Sequence, residues 1–73
     1  MACINPDGTL APSALAILRA ALQARSAAEI AQLAALPLFR VRSSIRELVD
    51  AGLLKEEEGL YQITEAGQAR LGS

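Results

Sequence analysis

The sequence predicts an α+β fold in which three helices are followed by a two-stranded hairpin and a short closing helix. Three observations predict it. Apolar residues recur at helical spacing through three successive segments, and the period changes from near 3.6 to near 2 after Gly52. The 73 residues also include one Phe, one Tyr and no Trp, so Ala and Leu must build the core, which suits packed helices better than a sandwich. With 52% apolar and 21% charged residues the chain is too apolar to remain disordered, and its length suits one small domain. Residues 1–11 are expected to form an N-terminal arm and residues 12–73 the folded domain.

Asn5-Pro6-Asp7-Gly8 is turn chemistry, since Pro fixes φ and Gly takes positive φ freely. Pro12 is favoured in a first helical turn and opens a helix expected over about residues 12–24. Leu15, Leu18 and Leu22 form its stripe, Ile17 and Ala21 widen it, and Arg19 and Gln23 face out. Ser26-Ala27-Ala28-Glu29 has capping-box spacing: the Ser hydroxyl accepts from the Glu29 amide while the Glu side chain reaches back to the Ser amide. In the second helix that starts there, Ile30, Leu33 and Ala34 are expected on the apolar side. Pro37 is expected to stop it, because the residue before a proline is pushed out of the α region. A third helix is expected from about Leu38 to Ala51, with Val41, Ile45, Leu48 and Val49 on one face and Gly52 as the left-handed residue that ends it. Phe39, Arg42, Ser43 and Arg46 lie opposite that face, with Arg40 and Ser44 along one flank.

Leu53 to Glu57 and Leu60 to Thr64 then read as two short strands around Glu58-Gly59. Tyr61 and Ile63 alternate with Gln62, so one hairpin face is expected to pack on the helices and the other to meet water. Thr64 offers an N-cap oxygen to a last helix expected from Glu65 to about Leu71.

Composition narrows the chemistry. Without His, and with a single Cys, the chain lacks His-based acid–base catalysis, His–Cys metal cages and an internal disulfide. Nothing resembles a nucleophile with its base, so the reading is not an enzyme, with no cofactor and no metal. Cys3 has no basic neighbour close in sequence and reads as a passive thiol. No apolar run approaches the roughly 20 residues of a membrane span, and Met1-Ala2-Cys3 opens no signal peptide, so a soluble, cytoplasmic protein is expected. The net charge of −1 hides a division. Residues 13–46 hold Arg19, Arg25, Arg40, Arg42 and Arg46 against Glu29, a balance of +4. Residues 47–65 hold Glu47, Asp50, Glu56, Glu57, Glu58 and Glu65 against Lys55, a balance of −5. Such polarity is a statement about partners rather than fold.

Three segments together resemble a known architecture. Ser26 to Leu36, including Glu29-Ile30-Ala31, is followed by Val41, Ile45 and Leu48, then by Ala51-Gly52-Leu53-Leu54, and finally by Tyr61-Gln62-Ile63-Thr64-Glu65-Ala66-Gly67. They look like the helix-turn-helix core of bacterial MarR-like and ArsR-like transcriptional regulators. In those families the second helix opens "EL/EIA", the third ends "L-x-x-A-G-L-V/L" and the wing closes on "Y-x-L-T-x-x-G". The resemblance covers about residues 12–71 and implies a winged helix-turn-helix domain, double-stranded DNA as partner and regulation of transcription as function. By that resemblance the third helix enters the major groove. Arg40, Arg42, Ser43, Ser44 and Arg46 are then the DNA-binding residues, since an Arg fork matches the two acceptors of guanine and Ser is a small donor or acceptor.

Other readings accompany that one. The Arg-bearing face could be an ordinary solvated surface, with Arg46 and Asp50 paired at i,i+4. Pro37 stands where those families place a capping Ser or Thr, so a different cap is expected. Three carboxylates in the wing oppose phosphates, which suits instead a protein-interaction module that does not bind DNA and docks a partner at the wing or at the Phe39 surface. Phe39 itself is expected to tuck against the turn between the second and third helices, the sharper reading being a thymine methyl or a protein partner. The glutamate run reads as a solvated turn rather than a metal site. A homodimer is expected through the arm and the first and last helices, because the three-helix core has no obvious need of Ile4, Leu10 and Leu71. The long terminal helices of MarR proteins are missing.

Overall fold

Four helices and one antiparallel hairpin follow one another in the computed structural model, which describes residues 4, 5 and 8–72. The helices are α1 (Pro12–Ala20), α2 (Ala27–Ala34), α3 (Leu38–Asp50) and α4 (Glu65–Gly72). Between α3 and α4 lie β1 (Leu54–Glu57) and β2 (Leu60–Ile63). This is a winged helix-turn-helix, α+β as expected. Cys3, Pro6 and Asp7 lie outside the described residues, so neither the reading of Cys3 nor the middle of the first turn is tested.

One core joins every layer. Ala14, Ile17, Leu18 and Ala21 meet Ile30 and Ala31 of α2, Val41, Ile45 and Leu48 of α3, and Leu53, Leu54 and Ile63 at the hairpin base. All are buried aliphatic side chains, as the scarcity of aromatics requires. Ile4 and Leu10 form an antiparallel bridge, and Leu10 and Leu71 pack against the core. The terminal apolar residues that motivated a dimer surface therefore have uses within one chain. Arg70 ties the last helix to the arm by donating to the Gly8 carbonyl.

The helix ends show which local signals decided the structure. At α2 the capping box is complete: the Glu29 amide donates to Ser26 Oγ at 3.2 Å and the Ser26 amide to Glu29 Oε1 at 3.0 Å. At the end of α3, Gly52 has φ 78°, its amide donates to the Val49 carbonyl and the Leu53 amide to the Leu48 carbonyl. That is the expected left-handed termination, satisfying carbonyls the helix would otherwise leave unpaired. The end of α2 uses the same pair of bonds, Ala35 to Gln32 and Leu36 to Ala31, but with an alanine at φ 57°. This termination at Ala35, before the influence of Pro37, ends the helix. Pro37 gives α3 no side-chain cap; its carbonyl accepts from the Arg40 and Val41 amides at 3.1 Å.

Three expectations fail: the length of α1, and the burial of Leu22 and of Leu33. α1 stops at Ala20 instead of running to residue 24, because the Ala21 carbonyl accepts from the Ile63 amide at 2.8 Å. Just beyond, Arg25 exchanges backbone bonds with Tyr61, at 3.0 and 2.7 Å, adding a third short edge to the sheet. The chain thus leaves the helix, and Leu22 is 52% exposed. On α2, Ala31 rather than Leu33 turns inward, leaving Leu33 57% exposed.

The wing pairs Leu54 with Ile63, Lys55 with Gln62, Glu56 with Tyr61 and Glu57 with Leu60. Glu58 at φ 54° and Gly59 at φ 80° make the two-residue turn, both positive as a type I′ turn needs. The Gly59 amide donates to Glu56 Oε2 at 2.8 Å, stapling the turn. Thr64 caps α4, its Oγ1 accepting from the Gly67 amide at 3.1 Å and donating to the Gly52 carbonyl at 2.6 Å. Gly67 sits where a Cβ would fall on the Leu53 carbonyl oxygen and within 2.6 Å of Ile63 Cγ1. Only glycine lets α4 close on the hairpin at this distance.

Candidate nucleic-acid interface

Helical arithmetic divides α3 into two stripes. Val41, Ser44, Ile45 and Leu48 are buried, at i, i+3, i+4 and i+7. Phe39, Arg42, Ser43 and Arg46 have the same spacing two residues out of phase, and all four are exposed. Thirteen residues make a rod of about 20 Å, and a B-form major groove about 12 Å wide admits such a helix.

Three of the five residues assigned to DNA from the sequence therefore share one exposed face: Arg42, Ser43 and Arg46. Arg40 is half-buried at its edge. Ser44 does not belong to it. At 8% exposure it lies in the middle of the buried stripe, three residues after Val41 and four before Leu48. The spacing already implied this, and only the usual exposure of serine pointed the other way.

Phe39 also departs from expectation. Rather than tucking against the turn, it is 74% exposed, with Leu38 beside it at 38%. Placed in the first turn of α3, it heads the same stripe as the two arginines. Because a large aromatic left in water forgoes the gain from burial, its exposure makes it the apolar end of a mixed surface.

Beside the stripe runs a groove whose lining reaches from Ser26, Ala27 and Ala28 at the start of α2, past Arg42, Ile45, Arg46, Val49 and Asp50 of α3, to Glu56, Gly59 and Tyr61 of the hairpin. The contributions of Tyr61 and of the α2 entrance were not anticipated from sequence; the Arg25–Tyr61 pairing that sets the hairpin against α2 involves residues far apart in the chain. Chemically the site offers two guanidinium forks, a hydroxyl and an aromatic ring on one convex helix, with Glu56 of the hairpin across the groove. Among the described residues, no buried side-chain polar atom lacks a hydrogen-bond partner. No helix among them is long and apolar enough to cross a membrane.

No protein-family profile matches the chain, and no curated protein matches it in sequence.

Proposed function

We propose that this chain is a small transcriptional regulator of the cytoplasm that binds duplex DNA by laying α3 in the major groove. The observation that carries the reading is the exposed stripe Phe39, Arg42, Ser43 and Arg46 on the second helix of a helix-turn-helix unit. In this arrangement Arg42 and Arg46 supply forked donors to guanine or phosphate, Ser43 a short polar contact, and Arg40 a phosphate contact from the flank. The sequence resemblance to MarR-like and ArsR-like regulators supports the same assignment. A labelled mixed-sequence duplex titrated at low and moderate salt tests it. With about three arginines engaged, the log–log salt slope should be no steeper than about −3. Absence of binding at low salt would reject the reading.

One observation favours a second reading, a protein-docking module. Glu56, Glu57 and Glu58 are all exposed on the wing, where a phosphate-tracking hairpin would carry cations. Under that reading the duplex titration stays flat while the fold is unchanged.

A further inference from the structure

A second open groove lies between the end of α1 and α2, and its lining shares no residue with the groove beside α3. Leu22 and Leu33 are its apolar anchors, Ala16 and Ala20 its floor, and Arg19 and Arg25 its charged members, with no carboxylate in the lining. Both leucines are more than half exposed. Leu22 is held there by fixed backbone on both sides: the Ala21 carbonyl is taken by Ile63, and the Leu22 carbonyl accepts from Gln62 Nε2 at 3.5 Å. The anchors are thus presented by the folded core itself.

From this surface we infer that the α1–α2 groove docks an acidic amphipathic helix of a partner protein, its apolar stripe on Leu22 and Leu33 and its carboxylates on Arg19 and Arg25. Charge complementarity selects the sign, since two guanidinium groups unopposed by any carboxylate in the lining attract an acidic segment and repel a basic one. The backbone selects a helix over a strand. Arg25, the strand-like residue beside the groove, already spends its amide and its carbonyl on Tyr61, so a docking strand would find no ladder there, whereas a helix brings its own backbone bonds satisfied. A second copy fits less well. Its carboxylate-rich segment, the wing, offers Leu60 as its exposed leucine against a groove with two anchors. Docking here leaves the α3 stripe uncovered, so the inference stands or falls apart from DNA binding.

Two fluorescein-labelled synthetic helices of about 18 residues, long enough to be helical in isolation, provide the test. They share one leucine stripe, and the remaining positions are Ala with Glu in one and Ala with Lys in the other. By fluorescence anisotropy the full chain should bind the Glu peptide about tenfold or more tightly than the Lys peptide. Leu22→Ser and Leu33→Ser should each weaken the Glu peptide about fivefold or more, Arg19→Ala and Arg25→Ala should flatten its salt dependence, and Phe39→Ser should leave it unchanged. Both leucines being exposed, circular dichroism melts should match those of the parent chain, and the two arginine variants test the charge argument if either serine variant melts early. Equal affinity for the two peptides, binding of neither, or affinity indifferent to Leu33→Ser would overturn the inference. So would concentration-dependent self-association of the chain alone that Leu33→Ser abolishes, since the groove would then belong to a second copy.

Discussion

The outer face of α3 and the wing hairpin border one groove and carry opposite charge. Arg42 and Arg46 stand on the helix, while Glu56, Glu57 and Glu58 stand on the hairpin. Both are exposed, both are held by the same core, and both are adjacent to the surface a duplex would occupy. The difference is one of task. Among the described residues, strand β1 pairs with β2 alone, whereas β2 also meets Arg25, so β1 is the free edge of the sheet they form. Charge along a free edge hinders pairing with another chain, and Glu56 in addition staples the turn. The carboxylates thus have a structural use, and the same charges repel phosphate. The wing holds one cation, Lys55, among three glutamates, whereas the exposed stripe of α3 carries Arg42 and Arg46.

The comparison presumes that the hairpin is fixed, and Gly67→Ala breaks that most severely. A methyl driven onto the Leu53 carbonyl should lower stability by about 2–3 kcal/mol, read from urea unfolding. Unchanged stability would mean that α4 does not close on the hairpin as described. Next in size is the helix face. Arg42→Ala or Arg46→Ala should each weaken duplex binding by about 1–3 kcal/mol, and Arg19→Ala on α1 by far less. Comparable losses at all three positions would remove the groove assignment and leave only diffuse attraction.

A smaller effect tests the aromatic head of the stripe. If Phe39 lies on a thymine methyl, replacing thymine by deoxyuridine throughout a bound site should cost about 0.8 kcal/mol, one buried methyl, in the parent chain and nothing in Phe39→Ala. Equal losses in both proteins would place the methyl elsewhere. Smallest is the wing, where Glu57→Gln with Glu58→Gln should tighten non-specific binding by about 0.5 kcal/mol at low salt without shifting the melt. Weaker binding would show that these carboxylates contact something useful, and the contrast between helix and wing would dissolve.

What the sequence revealed and what it hid divide along the same physical line. Signals that act within one turn were legible: the Ser26–Glu29 box, the left-handed Gly52, the Glu58-Gly59 turn and the Thr64 cap, each resolved by atoms a few residues apart. Signals that depend on distant partners were not. The end of α1 is set by Ile63, the exposure of Leu22 follows from it, and the Arg25–Tyr61 bridge has no alternating pattern around Arg25 to announce it. Ala35 takes the left-handed position that glycine would mark. The candidate interface was legible in three residues, Arg42, Ser43 and Arg46. Ser44 was misplaced because residue type was weighed above spacing, and Phe39 because an aromatic was assumed to find cover.

We propose that α3, rather than the wing or the α1–α2 groove, meets the duplex. Amide chemical-shift mapping of the isotope-labelled chain against increasing mixed-sequence duplex at low salt tests it most directly. The largest shifts are expected on Phe39, Arg42, Ser43 and Arg46, with Leu22, Leu33 and the Glu57-Glu58-Gly59 turn nearly unmoved. Shifts centred on the turn or on the two leucines, or a spectrum unchanged by DNA, would contradict it.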